Sequence, residues 1–248
     1  MSLTGKLDTL CDAALALLYP LACAACGARS VEARRDFPAC ARCWARTKIF
    51  TGCETLCWKC GVPARAAVAE DAWETVRCRR CDEQKFTAAR ACGVYAGALR
   101  ASVLTLKREP RVGRRLARLM SDALRRAPLD RATRVVPVPL HSERERERGF
   151  NQAALLAQTL AAASGLPFDG ASLVRAEHTE KHRAGMDVRA RRESVERAFR
   201  VARPRLVAGE RVLLVDDVFT TGATASACAE TLLAAGAVEV YVLTVARA

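Results

Sequence analysis

The sequence predicts an α/β fold, a parallel sheet flanked by helices, carried behind a small cysteine-rich N-terminal module. Three observations predict it. From about Cys92 onward, apolar runs of strand length alternate with amphipathic stretches. Eleven of the twelve cysteines fall within residues 1–92. The apolar run VLLV ends in two adjacent carboxylates, Asp216 and Asp217, followed by a Thr-Gly turn. A chain of 248 residues accommodates one such domain plus a module. Its 51% hydrophobic content supplies a core and excludes wholesale disorder. Aromatics at 5% exclude a sheet that stacks many bases on exposed rings. A net charge of +13 points to anionic partners such as phosphates, nucleic acid or an acidic protein. A solvated basic surface is the plainer reading of the same charge.

Residues 1–22 read as an N-terminal helical segment, 23–85 as the cysteine module and 92–248 as the α/β domain. The stretch DAALALLYPLACAAC resembles a signal-peptide core, but Asp8 and Asp12 interrupt it and Pro20 ends it. A short amphipathic helix from about Leu7 to Leu18 is the better reading. No run of 18 apolar residues exists, so no membrane-spanning helix is expected, and the expected location is the cytoplasm. Within the second half, CGVYAG and ASVLTLKR read as a short strand and a helix. RVGRRLARLMSDALRRA places Leu116, Leu119, Met120 and Ala123 on one helical face. RVVPVPL reads as a strand with proline at its end, and FNQAALLAQTLAAASG as a helix stopped by Gly165. RVLLVDD is a buried strand with Val212–Val215 as its body, TASACAETLLAAG a helix stopped by Gly236, and VEVYVLTVA a last buried strand.

Four CxxC pairs organise the cysteine module: Cys23/Cys26, Cys40/Cys43, Cys57/Cys60 and Cys78/Cys81. Two intervening residues let both thiolates of a pair reach one tetrahedral ion from a tight knuckle. Gly27 and Gly61 follow the first and third pairs, where such a turn wants a residue tolerant of positive φ. Pairing in order gives CAAC-x13-CARC and CWKC-x17-CRRC, two four-cysteine zinc ribbons holding two structural Zn²⁺. A disulfide scaffold and redox CxxC motifs are the alternatives; the latter want a strand-helix context that these loops lack. All three histidines lie downstream, leaving sulfur as the ligand. Cys11, Cys53, Cys92 and Cys228 fall outside the pattern and read as small buried residues.

The paired acids pose a sharper question, because like charges side by side are costly unless something binds them. Asp216 and Asp217 sit at the carboxyl end of a strand, where open α/β sheets bind ligands. Thr220, Thr221, Gly222, Ala223 and Thr224 then enter a helix whose first backbone N–H groups, with the threonine hydroxyls, make a phosphate cradle. A phosphorylated sugar diol uses both halves, its hydroxyls on the acids directly or through Mg²⁺. A capped surface turn is the bland alternative for the acids alone.

VLLVDDVFTTGAT resembles the thirteen-residue phosphoribosyl pyrophosphate (PRPP) signature of type I phosphoribosyltransferases. With VVPVPLHSERERERGFNQAALLA and the four CxxC pairs before it, nearly the whole chain resembles the ComF family of competence-associated proteins. That resemblance implies a type I phosphoribosyltransferase-like sheet behind zinc ribbons. It implies that Asp216 and Asp217 face the ribose hydroxyls, that Thr220–Thr224 hold the 5′-phosphate, and that Pro139 and Leu140 of the PVPL loop lie at the pyrophosphate. Lys107 matches the family's earlier lysine segment, and Arg148 of RGFNQ, or Arg144, is the expected phosphate contact. The implied ligands are PRPP or a nucleotide with Mg²⁺. The implied roles are ribose 5-phosphate transfer to a nitrogen nucleophile, or non-catalytic single-stranded DNA handling during DNA uptake with competence-machinery proteins. Between Leu173 and Val201 the chain departs from the family pattern, showing Thr179, His182, Arg191 and Ser194 in a basic stretch expected to close over substrate. The acid that 6-oxopurine salvage enzymes carry at the position of Thr220 is missing, which points away from purine salvage.

Overall fold

The computed structural model describes residues 21–28, 36–64, 68–175 and 198–248. The expected Leu7–Leu18 helix and the departures at Thr179, His182, Arg191 and Ser194 lie outside the described residues.

The centre is a four-stranded sheet of β1 (Ala88–Ala91), β2 (Arg134–Pro137), β5 (Arg211–Phe219) and β6 (Glu239–Arg247) in the order β1-β6-β5-β2, every pair parallel. A parallel sheet needs cover on both faces, and side chains alternate between them. Val135, Leu213, Val215, Tyr241, Leu243 and Val245 face one core, built with α2 (Gly97–Leu106), α3 (Arg114–Leu124) and α5 (Gln152–Ser164). Val136, Val212, Leu214, Val240 and Val242 face the other, built with α6 (Ala223–Ala234) and an antiparallel hairpin of β3 (Leu173–Arg175) and β4 (Phe199–Val201). The short helices α1 (Ala41–Ala45) and α4 (Ser142–Arg148) complete the set.

The sequence accounts for these boundaries. The Asn151 side chain accepts from the Ala153 amide to start α5, and Gly165, at φ 75°, ends it in the left-handed region. Leu116, Met120 and Ala123 are the buried stripe of α3, with Leu119 packed at its margin. CGVYAG departs from expectation. It forms isolated bridges only, Ile49 to Gly93 and Val94 to Arg247, while the strand lies just before it at Ala88–Ala91. Four alanine- and arginine-containing residues carry no β-propensity signal; they pair because β6 offers a free edge.

The two cysteine clusters pack on opposite faces of this sheet. Cys23 and Cys40 join the core of α2, α3 and α5, whereas Cys57, Cys60 and Cys81 join that of α6. At the amino ends of the strands, Arg134 pairs with Glu210 at 3.0 Å and Arg211 with Glu239 at 3.1 Å. That rim is closed by ion pairs, and the carboxyl rim is left for the site.

Candidate functional site

β5 is longer than expected. Val212–Val215 is its body, but pairing continues through Asp216 opposite Thr244, Val218 opposite Ala246 and Phe219 opposite Arg247. The acids therefore lie inside a strand and not after its end. Asp216 lines a small cavity of about 40 Å³ with Thr220, Gly222, Ala223, Thr224 and Thr244. Asp217 is buried toward α2, where its Oδ2 lies 3.3 Å from Lys107 Nζ. Asp216 thus borders the turn directly, and Lys107 at the end of α2 supplies a positive charge beside Asp217.

Two features mark the pair as unfinished. Asp217 Oδ2 is shielded from solvent and, among the described residues, accepts no well-formed hydrogen bond despite the lysine. Burial, reinforced by the charge of Asp217, pushes the Asp216 carboxyl up to about 7, against the Asp217 amide that donates to its Oδ1 at 2.8 Å. A donor or a cation placed there would answer both.

The turn after β5 has the form of an anion cradle. Gly222 is at φ 83°, and α6 begins at Ala223. The Ala223 amide approaches Thr221 Oγ1 at 3.4 Å. Among the described residues, the amides of Gly222, Thr224 and Ala225 have no partner in the chain. A Cβ at Gly222 would come within 2.7 Å of the Phe219 ring and 3.2 Å of Gln84 Oε1, so both conformation and space require glycine.

The segment following the last CxxC pair braces this turn. Gln84 Nε2 donates to the Thr221 carbonyl at 3.4 Å, and the Lys85 amide donates to Ser226 Oγ at 3.0 Å. The Phe86 and Phe219 rings meet edge to face, with centroids 5.8 Å apart. Arg247 lies over Phe219 at 4.7 Å and donates to the Cys60 carbonyl at 2.6 Å. Sequence reasoning missed Gln84, Lys85 and Arg247. Residues 137 to 187 positions apart meet here, and no local pattern marks them.

The other expected residues divide. Pro139 and Leu140 line a larger cleft of about 510 Å³, together with His141, Arg146, Asn151 and Arg175. Val138 extends the sheet by donating to the Val215 carbonyl at 2.9 Å, and Asn151 Nδ2 donates to the Val138 carbonyl at 3.0 Å. Those two bonds fix the PVPL loop beside β5. Arg148 instead donates to Gln152 Oε1 at 2.7 Å, tying α4 to α5. Arg148 does not line this cleft, whereas Arg146 does.

The cysteines assemble as the spacing predicts, in two groups of four: Cys23, Cys26, Cys40 and Cys43, and Cys57, Cys60, Cys78 and Cys81, each with all sulfurs within 4.8 Å of one another. Their contacts run from 3.5 to 4.0 Å. Four sulfurs each about 2.3 Å from one ion stand about 3.8 Å apart, whereas a disulfide needs about 2.05 Å. The geometry fits a tetrahedral metal site and not a bond. Gly27 and Gly61 take φ of 73° and 70°, and each donates its amide to the carbonyl of the first cysteine of its knuckle, Cys23 or Cys57, at 2.8 Å. Backbone amides of Cys40 and Ala25 point at Cys23 Sγ; burial opposes them, yet the thiol is drawn down to about 6. Its neighbour Cys43 is pushed up to about 12 by burial and by the sulfurs around it. Four thiolates without a cation repel, so the donor set is one that a divalent thiophilic ion completes. Of the remaining cysteines, Cys92 and Cys228 are buried as expected, Cys53 is exposed and so corrects the expectation, and Cys11 lies outside the described residues.

A parallel α/β sheet with a Thr-Gly turn at the end of β5, carried on two four-cysteine clusters, is the class that the fold and site define. Among solved structures, it is similar to glutamine PRPP amidotransferase from B. subtilis complexed with ADP and GMP (18% identity, TM-score 0.38), covering 60% of this chain and 27% of that one. It is also similar to a purine phosphoribosyltransferase from Pyrococcus horikoshii Ot3 (15% identity, TM-score 0.34), covering 54% and 81%. The chain spans about a quarter of the amidotransferase. No family model matches it. Curated relatives define the membership. DNA utilization protein YhgH of Salmonella typhimurium is 36% identical over 203 residues, 78% of this chain and 84% of the relative. Competence protein F of Haemophilus influenzae is 37% identical over 142 residues, 55% and 62%. Competence protein ComFC of Bacillus subtilis is 29% identical over 204 residues, 81% and 80%. The chain belongs to the ComF family of competence and DNA-utilization proteins. No helix among the described residues is long and apolar enough to cross a membrane.

Proposed function

We propose that this chain binds PRPP with Mg²⁺ at the carboxyl rim of the sheet and transfers ribose 5-phosphate to a nitrogen nucleophile, in the service of DNA uptake or use. One observation carries the reading: a cradle of unpartnered amides opens beside Asp216, and the neighbouring Asp217 keeps a buried, under-bonded oxygen next to Lys107. The 5′-phosphate sits on the amides and hydroxyls of Thr220–Thr224, and Asp216 accepts from a ribose hydroxyl. Lys107 and Asp217 form the opposite wall toward the leaving group, with Pro139 and Leu140 along the pyrophosphate and Arg148 or Arg144 as a phosphate contact. Asp216 and Asp217, with the substrate's own phosphates, would hold Mg²⁺, which would neutralise charge on departing pyrophosphate. The chain's own part is positioning and electrostatics at an oxocarbenium-like anomeric carbon. Zinc, two ions per chain on the two cysteine clusters, is structural.

Calorimetric titration with PRPP and Mg²⁺ tests this. Micromolar binding that Asp216→Asn with Asp217→Asn abolishes is expected, together with pyrophosphate release when an acceptor is supplied. Absence of PRPP binding by the intact, zinc-loaded chain refutes it.

A second reading rests on the charge of +13 and on the relatives named for DNA utilization and competence. In it the chain handles single-stranded DNA and uses PRPP or a nucleotide only as a ligand. Strongly salt-dependent binding to single-stranded DNA that survives the double substitution favours it.

A further inference from the structure

Away from the carboxyl rim, between the second cysteine cluster and the end of α3, lies a cleft of about 200 Å³. Leu56, Trp58, Trp73, Arg90, Arg126 and Glu54 line it. Two of the chain's three tryptophans meet here; the third, Trp44, is in the core. The Trp58 amide is tied to the Val76 carbonyl at 2.8 Å, which holds the turn carrying Trp73 against the knuckle carrying Trp58. Indoles on the rim of a cleft are costly to leave wet and give a flat apolar wall for a ring.

The charges of the cleft do not balance within it. Arg90 is buried, lies over the Trp58 ring at 5.1 Å, and donates to the carbonyls of Trp58, Ala89 and Ala127. Those three carbonyls engage its guanidinium. Arg126 is less fully bonded. Its Nη2 donates to the Phe50 carbonyl at 2.6 Å, while its Nη1 is shielded from solvent and has no partner among the described residues. The carboxylates that could answer it are committed elsewhere. Glu54 accepts from the Thr51 and Gly52 amides at 2.9 to 3.0 Å, and Asp122, four residues before Arg126, pairs with Arg125. An unpaired buried guanidinium N–H costs free energy that an anion would recover.

We propose that this cleft is a second binding site, for a nucleobase carrying a phosphate, with the ring against Trp58 and Trp73 and the phosphate on Arg126. A cavity of this size is below the range of about 300 to 1,000 Å³ usual for whole small-molecule ligands, so it takes the ring and leaves the sugar-phosphate at the mouth, where the phosphate draws the Arg126 guanidinium outward from its shielded position. An indole and a guanidinium together are the pair that holds bases without reading their sequence. The site is separate from Asp216 and the threonine turn and does not rest on the PRPP reading. The ligand is either a free nucleotide or one residue of a single strand.

The full, zinc-loaded chain is titrated with AMP and with a 12-nucleotide oligo(dA), following tryptophan fluorescence. Quenching by either probe is expected, with Kd about tenfold weaker in Trp73→Ala and in Arg126→Gln, the order expected for one stacked base or one charge-assisted bond. Asp216→Asn leaves this Kd unchanged. Zinc content and a cooperative urea unfolding transition report that each variant is folded; Trp73→Phe, which keeps a ring, restores affinity to within about threefold. AMP binding as tight as the oligonucleotide assigns a free nucleotide, and a preference for the oligonucleotide assigns a strand. The proposal is overturned if neither probe quenches, or if oligonucleotide binding is the same within twofold in folded Trp73→Ala and Arg126→Gln.

Discussion

Alanine at Gly222 and alanine at Gly165 separate two costs that coincide in the threonine turn. Both glycines are in the left-handed region, at φ 83° and 75°. A Cβ at Gly165 meets nothing within 4 Å, so Gly165→Ala carries the conformational cost alone, about 1 kcal/mol. At Gly222 the same atom lands 2.7 Å from the Phe219 ring and 3.2 Å from Gln84 Oε1. The ring cannot retreat freely, because Phe86 meets its face or edge and Arg247 covers it. Displacing packed side chains of this kind costs about 1 to 3 kcal/mol more, so Gly222→Ala is expected to lose about 2 to 4 kcal/mol. Urea unfolding at saturating zinc, with unchanged m values, measures both. PRPP affinity, titrated on the same samples, falls at least tenfold for Gly222→Ala and stays unchanged for Gly165→Ala. Equal stability losses within about 0.5 kcal/mol would refute the argument that Phe219 and Gln84 confine the turn.

Removing the positive charge beside Asp217 by Lys107→Met strands a buried carboxylate and costs about 1 to 3 kcal/mol by urea unfolding; adding Asp217→Asn restores part of that loss. The folded Asp216 carboxyl holds its proton up to about 7 and an unfolded one only to about 4, so this group weakens the fold progressively as pH rises across that window. Asp216→Asn is therefore more stable than the parent at pH 8 and equal to it near pH 4, in the same unfolding assay. Chelation of zinc, followed by metal analysis and PRPP titration, is expected to lower PRPP affinity at least tenfold, because Gln84, Lys85 and Arg247 lose the fixed cluster they brace from.

How much of this was legible in the sequence depended on the range of each interaction. The cysteine clusters were legible because a CxxC knuckle is local geometry, and Gly27 and Gly61 signalled its turn. α5 was legible because Asn151 and Gly165 cap it within the quoted stretch. The end of β5 was misread at Val215: two acids look like a stop, yet the strand continues because β6 supplies Thr244, Ala246 and Arg247 as partners. Nothing near Asp217 in sequence announces Lys107 as its partner. The exposure of Cys53 and the brace from Gln84 were likewise set by tertiary neighbours.

The placement of Cys23 and Cys40 against one face of the sheet, and of Cys57, Cys60 and Cys81 against the other, has a consequence for dissecting the chain. The cysteine clusters straddle the sheet as a saddle does, so no single cut frees a self-sufficient α/β half. A fragment starting near Cys92 would bare apolar surface on both sides at once and would also lack β1, an edge strand that begins at Ala88.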